Sequence, residues 1–216
     1  MVEMISKVYV RLKNVSKIFK KETVLKNVDV SFMKGQITGI IGRNGSGKTV
    51  MLKIICGLMK ADEGEVIVDG ELMNEARLHD GKIGAVIEHP GFIPYKSGYK
   101  NLKYLADIRK KIGSDEICEA MRTVGLDPES GKHVGKYSLG MKQRLGIAQA
   151  IMENPELIIL DEPMNGLDSH GVDDIRHFLL NLKEKGKTII LTSHHAEDIE
   201  ILCDKVYEME DGMIKQ

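Results

Sequence analysis

The chain has 216 residues, with 31 Lys+Arg against 32 Asp+Glu, so its formal net charge is −1. At 42% apolar, 29% charged and 5% aromatic residues, it has the make-up of a globular protein with one substantial core. Near-neutrality weighs against a general nucleic-acid binder, and the composition excludes collagen-like, disordered and disulfide-scaffold classes.

Charge is uneven along the chain. Residues 1–60 hold 12 Lys/Arg and 3 Asp/Glu, a net of +9. Such a surplus suits a polyanionic ligand, an anionic membrane surface or a solvated face. The opening MVEMISKVYVRLKN mixes charged and apolar residues and lacks a signal-peptide core. No run approaches the roughly 20 apolar residues that span a bilayer. Cys56, Cys118 and Cys203 are odd in number and show no paired spacing, which reads as buried or inert thiols in a reducing compartment.

In chain order, Val8–Leu12 and parts of Val24–Phe32 alternate as strands do. Gln36–Ile41 is a short β-rich run ending at Gly42. GRNGSGKT follows, and then Met51, Leu52, Ile55 and Leu58 at helical spacing. The order is therefore strand, glycine loop, helix. GEVIVDG (64–70) reads as a strand closed by a turn. Residues 89–156 carry helical patterns over Asn101–Lys111, Asp115–Val124 and Leu139–Met152, a helical lobe inserted into an α/β core. Leu157–Leu160 is a buried strand with Asp161 and Glu162 at its end. Val172, Ile175, Phe178, Leu179 and Leu182 share one face of a helix over Ser169–Lys185, which Ser169 can cap and Gly186 can end. Lys187–Ser193 is a second buried strand. Strands alternating with helices imply a mainly parallel sheet.

Gly42-Arg43-Asn44-Gly45-Ser46-Gly47-Lys48-Thr49 fits G-x-x-x-x-G-K-[ST] in the strand–loop–helix setting that the motif needs. Glycines let backbone N–H groups turn inward and make an anion cradle at a helix N-terminus. Lys48 offers a point charge to β- and γ-phosphates, and Thr49 offers a hydroxyl to Mg²⁺. Asp161 and Glu162 emerge where ligands of open parallel sheets collect. Asp161 suits a Mg²⁺-holding role, and Glu162 suits polarisation of an attacking water. Ser138 begins a helix running through Met141, Leu145, Ala148 and Met152. It can be a plain N-cap or a phosphate contact at the positive end of the helix dipole.

With Tyr137-Ser138-Leu139-Gly140-Met141 added, the chain resembles the ATP-binding subunits of ABC transporters from Val8 to about Gly212. The family's L-S-G-G-Q signature would read Y-S-L-G-M, keeping Ser138 and Gly140 and departing at three positions. That pattern is similar to the branch of bacitracin and lantibiotic exporters. The resemblance implies an α/β P-loop NTPase fold in a single domain over 1–216. Its parts are a RecA-like core, an antiparallel β subdomain and an inserted α-helical subdomain at about 89–156.

The resemblance also implies ATP and Mg²⁺ as ligands and Mg²⁺-dependent ATP hydrolysis between two head-to-tail copies. Phe19 would stack on adenine, Gly42 to Val50 would hold the phosphates, and Lys48, Glu162 and His194 would be catalytic. Thr49, Asp161 and Glu88 would hold the metal. Glu88 stands where the family usually has Gln; a carboxylate suits a hard cation and adds negative charge near Asp161 and Glu162. Ser138, Leu139, Gly140 and Met141 would reach the nucleotide from the second copy, and Asp168, after Asn165-Gly166-Leu167, would lie at the dimer interface. Phe92, Tyr95, Tyr99 and Tyr104 lie where the family receives a short helix from its membrane subunit; packing within the lobe is the other reading. The partner would be a transmembrane permease on a separate chain, at the cytoplasmic face of a membrane, with no nucleic acid involved. The working dimer would be homo- or heteromeric, and the cargo an exported antimicrobial peptide or other amphiphile. The competing class is a soluble ABC ATPase acting on ribosomes or DNA. It ranks second because the chain carries one cassette and no long coiled coil between Lys48 and Ser138.

Overall fold

The computed structural model describes residues 7–20, 22–73, 81–88 and 90–215. In chain order the elements are β1 (Val8–Phe19), β2 (Glu22–Met33), β3 (Ile37–Ile41), α1 (Lys48–Ile55), β4 (Glu63–Val68), β5 (Glu71–Leu72) and β6 (Ile83–Val86). Then come α2 (Gly98–Arg109), α3 (Ser114–Thr123), α4 (Leu139–Ile151), β7 (Leu157–Leu160), α5 (Ser169–Glu184), β8 (Thr188–Thr192), α6 (Ala196–Leu202), β9 (Lys205–Glu210) and β10 (Met213–Lys215).

Two sheets result. One is antiparallel, in the order β2-β1-β4-β5. The other runs β10-β9-β3-β8-β7-β6; all its pairings are parallel except the closing β9–β10 hairpin. This is the mixed α/β architecture, an antiparallel sheet beside a mainly parallel one, that the sequence leads one to expect. The central strands are apolar on both faces, as parallel strands covered on both sides must be. In β7, Ile158 and Leu160 pack toward the helices, while Leu157 and Ile159 pack toward α1 and the antiparallel sheet. Ile189 and Leu191 of β8 divide from Ile190 in the same way. Each such side chain contributes about 1.5–3 kcal/mol relative to exposure.

Between β6 and β7 the described chain is helical, and α4 packs back against β6. Ile175 and Leu179 of α5 are buried, with Val172, Phe178 and Leu182 packed beside them. One expectation fails here. The cap of α5 is Asp168, whose Oδ1 accepts from the Gly171 N–H at 2.8 Å, and Ser169 is already helical. Both residue types cap well; backbone conformation decides, and Asp168 has the extended geometry a cap needs. The lysine surplus is partly met by acids, since Lys13 pairs with Glu65, Lys17 with Asp62 and Lys53 with Glu88.

Candidate nucleotide site

β3 ends in the middle of the parallel sheet, and Gly42–Gly47 turn the chain there into α1. Two glycines in this turn have no substitute. A Cβ on Gly42 would lie 2.2 Å from the Met209 carbonyl, and one on Gly47, at φ 106°, would lie 2.8 Å from Leu25 Cδ2. The loop is walled by the C-terminal hairpin, where the Gly212 N–H donates to the Ser46 carbonyl at 3.1 Å. No side chain caps α1 and no acid stands in its first turn, so its positive end is left open. Ser46 Oγ is buried without a hydrogen-bond partner. Arg43 and Asn44 are exposed, and Val50 packs beside the core.

Lys48 is buried and folds back, donating from Nζ to the carbonyls of Gly42 at 2.7 Å and Arg43 at 3.1 Å. Desolvation lowers its pKa, and the charges of Glu162 and Asp161 oppose that shift. Asp161, at the end of β7, is held on both oxygens. Thr49 Oγ1 donates to Oδ2 at 2.9 Å, and Thr192 Oγ1 donates to Oδ1 at 2.7 Å. The Thr192 hydroxyl also accepts the Glu162 N–H at 2.9 Å.

Glu162 sits at φ 51°, a left-handed conformation that a bulky residue rarely adopts. Its carbonyl accepts from Gln143 Nε2 at 3.3 Å, and its Oε2 accepts from the His194 N–H at 3.3 Å. His194 Nε2 lies 3.0 Å from Oε1 without hydrogen-bond alignment, so Oε1 remains without a donor. Burial raises the Glu162 pKa, against the pull of His194. The start of α1 and the ends of β7 and β8 therefore gather Thr49, Asp161, Thr192, Glu162 and His194 into one connected cluster, with Lys48 beside it, bonded to the glycine turn. The sequence reading missed Thr192 and Gln143. Thr192 follows Leu191, the partner of Leu160 in the sheet, and so comes beside Asp161, a register that only the pairing of β7 with β8 reveals.

The other residues singled out lie apart. Glu88 (φ 59°) is largely exposed and pairs with Lys53 Nζ at 2.9 Å, with no hydrogen bond to Thr49 or Asp161. Phe19 is 40% exposed, with Lys17 Nζ 5.4 Å from its ring centroid. Ser138 caps α4 by accepting the Met141 N–H at 3.1 Å. Leu139 is half-exposed, and a Cβ on Gly140 would come within 2.8 Å of the Gly166 carbonyl. Met141 is half-buried near Lys132. Ser138–Met141 thus packs against the loop leading to Asp168, and among the described residues no hydrogen bond joins it to Gly42–Thr49. Of the aromatic group, Phe92 and Tyr99 pack against the core, while Tyr95 and Tyr104 are exposed.

Comparison with known proteins agrees with this geometry. The ABC transporter family model matches residues 25–165. An uncharacterised ABC transporter ATP-binding protein of Bacillus subtilis is 43% identical, over 94% of this chain and 93% of its own. A bacitracin transport ATP-binding protein of Enterococcus faecalis is 42% identical, over 97% of this chain and 68% of its own. Among solved structures, the dimeric bacterial ABC transporter cassette MJ0796 superposes with a TM-score of 0.88 at 29% identity, covering 96% of this chain and 97% of its own. The same cassette is also known as a dimer in a post-hydrolysis state bound to ADP and Pi.

Proposed function

This chain belongs to the ABC transporter family as an ATP-binding, ATP-hydrolysing subunit, and from that premise we propose how its residues divide the work. The observation that carries the assignment is the unbroken run of contacts from Thr49 through Asp161 and Thr192 to Glu162 and His194.

In this reading the backbone of Gly42–Gly47, with Arg43, Asn44, Ser46 and Val50 around it, cradles the phosphates of ATP, and Phe19 stacks on the base. Lys48 exchanges the carbonyls of Gly42 and Arg43 for phosphate oxygens, a stronger charge-assisted partner. Thr49, Asp161 and Glu88 offer oxygen only, a donor set that fits Mg²⁺. When bound, Mg²⁺ offsets charge on the β- and γ-phosphates. Glu162 orients and polarises the attacking water, and its raised pKa brings it nearer to accepting a proton. His194 holds Glu162 and faces the γ-phosphate. Little covalent chemistry is asked of the protein; positioning and charge supply the rate.

A second copy supplies Ser138, Leu139, Gly140 and Met141 to this nucleotide, with Asp168 at the contact. No described helix is long and apolar enough to cross a membrane; in this reading the chain sits at the cytoplasmic face of a membrane and its partner is a separate transmembrane permease. Tyr104, Leu105 and Ile108 form an exposed apolar strip on α2 beside a cavity of about 410 Å³ that Leu58 and Ile83 also line. This strip suits an apolar helix of such a partner. The cargo we assign, an amphiphilic peptide antibiotic, rests on the bacitracin transport relative.

Two variants test the assignment. Lys48→Ala is expected to lose ATP turnover. Glu162→Gln is expected to keep ATP, stop turnover and elute as an ATP-dependent dimer. Wild-type hydrolysis by the first, or a hydrolysing monomer from the second, overturns the assigned roles.

A further inference from the structure

Arg176 and Asp198 are buried charges that the scheme above does not use, exposed by only 9% and 1%. Burying charge is costly unless it is paired and hydrogen-bonded, and here it is both. Asp198 Oδ1 accepts from Arg176 Nε at 2.9 Å and Nη2 at 2.6 Å. Arg176 also reaches Glu197 at 2.9 Å and Asp173 at 3.4 Å. The second oxygen of Asp198 is aimed elsewhere: Oδ2 accepts from Ser193 Oγ at 3.0 Å. Ser193 Oγ in turn accepts the His195 N–H at 3.1 Å.

Ser193 and His195 flank His194, so one carboxylate fixes the turn on both sides of that imidazole. His195 is the N-cap of α6 and no side chain caps that helix; the other hydrogen bond on this turn is the one the His194 N–H gives to Glu162 Oε2. On the far side the cluster is anchored to α5, whose face is packed into the core. A tight turn that ends in a half-exposed side chain needs such an anchor to hold that side chain in one place.

We propose that Arg176, Asp198 and Ser193 are positioning residues for ATP hydrolysis: through the 193–195 turn they hold His194 against Glu162. The inference rests on the role assigned to His194 above. Removing the last link, Ser193, should leave nucleotide binding intact and misplace only the imidazole.

The test compares Ser193→Ala, Ser193→Thr and Arg176→Lys with the wild-type full chain, reading kcat, KM for ATP and thermal melting. Ser193→Ala is expected to lower kcat about tenfold, with KM within about twofold and melting little changed, the signature of an interaction used in the chemical step. Ser193→Thr, which keeps the hydroxyl, should recover most of that loss. If Ser193→Ala does not fold, Arg176→Lys carries the test, since it keeps the buried charge and loses the paired Nε and Nη2 contacts. A wild-type kcat in the variant used overturns the proposal. So does a kcat loss matched by raised KM and lowered melting, which marks a framework role only. Absence of turnover in the wild type defeats the reading of the site instead, and so separates the two failures.

Discussion

Thr192 donates its hydroxyl to Asp161 Oδ1 at 2.7 Å. Because Thr192 Oγ1 also accepts the Glu162 N–H, one fully buried side chain holds the Asp161 carboxylate and the backbone of Glu162 beside it. Thr192→Val keeps the shape and deletes both bonds. It should destabilise the fold by about 1–3 kcal/mol, a fall in melting temperature of roughly 2–4 °C per kcal/mol for a chain of this size. ATP turnover should fall about tenfold. Calorimetry and steady-state kinetics check this, and a neutral Thr192→Val would show that Asp161 and Glu162 orient without it.

Glu88 competes for two partners, Lys53 in the present structure and the metal in the proposed site. The Lys53 pair is exposed and worth about 0–1 kcal/mol, so Lys53→Met should barely move the melting temperature. Glu88→Gln should raise the Mg²⁺ concentration for half-maximal turnover by about threefold to tenfold. A magnesium titration reads this directly; superimposable curves would remove Glu88 from the metal's ligands.

Burial pushes the Cys56 thiol up to about 12, and burial with nearby Asp204 and Asp198 does the same to Cys203. Only the thiolate reacts, so at pH 8 either group is ionised to about one part in ten thousand. A thiol reagent at that pH should therefore modify half-buried Cys118 in the native chain, and the other two only after unfolding. Labelling of Cys56 and Cys203 should rise with pH toward 12. Peptide mass spectrometry locates the label, and modification of Cys56 as fast as Cys118 would contradict the burial argument.

Gly140 touches the loop before Asp168 so closely that a methyl group would meet the Gly166 carbonyl at 2.8 Å and Leu167 Cδ2 at 3.3 Å. Gly140→Ala must push the two segments apart, at a cost of about 1–3 kcal/mol. In a Glu162→Gln background it should abolish the ATP-dependent dimer while monomer affinity for ATP stays within about twofold. Gel filtration with ATP and a fluorescent-nucleotide titration check the two halves; a persistent dimer would place Gly140 outside the contact.

Features that are local in sequence were readable, and features made by long-range pairing were not. The strand, turn and helix around Gly42–Thr49 announce themselves within about 20 residues, as does the Ser138 cap. Arg176 and Asp198 stand 22 positions apart on α5 and α6, and no periodicity links them before those helices pack. β9 alternates, but only Met209 is fully buried, so its hydrophobic signal is faint. Glu88 was read by position toward a metal, while the folded chain gives it Lys53, a partner on α1 that only tertiary packing brings near.

The glycine turn is written early in the chain, yet its walls are supplied late. β3 lies between β8 and β9, the Met209 carbonyl presses on Gly42, and Gly212 holds Ser46. During synthesis the ribosome releases the phosphate-binding residues well before the strands that shape them. Nucleotide capture therefore has to wait until residues up to about 212 have emerged, so an interrupted translation product would carry the motif without the means to use it.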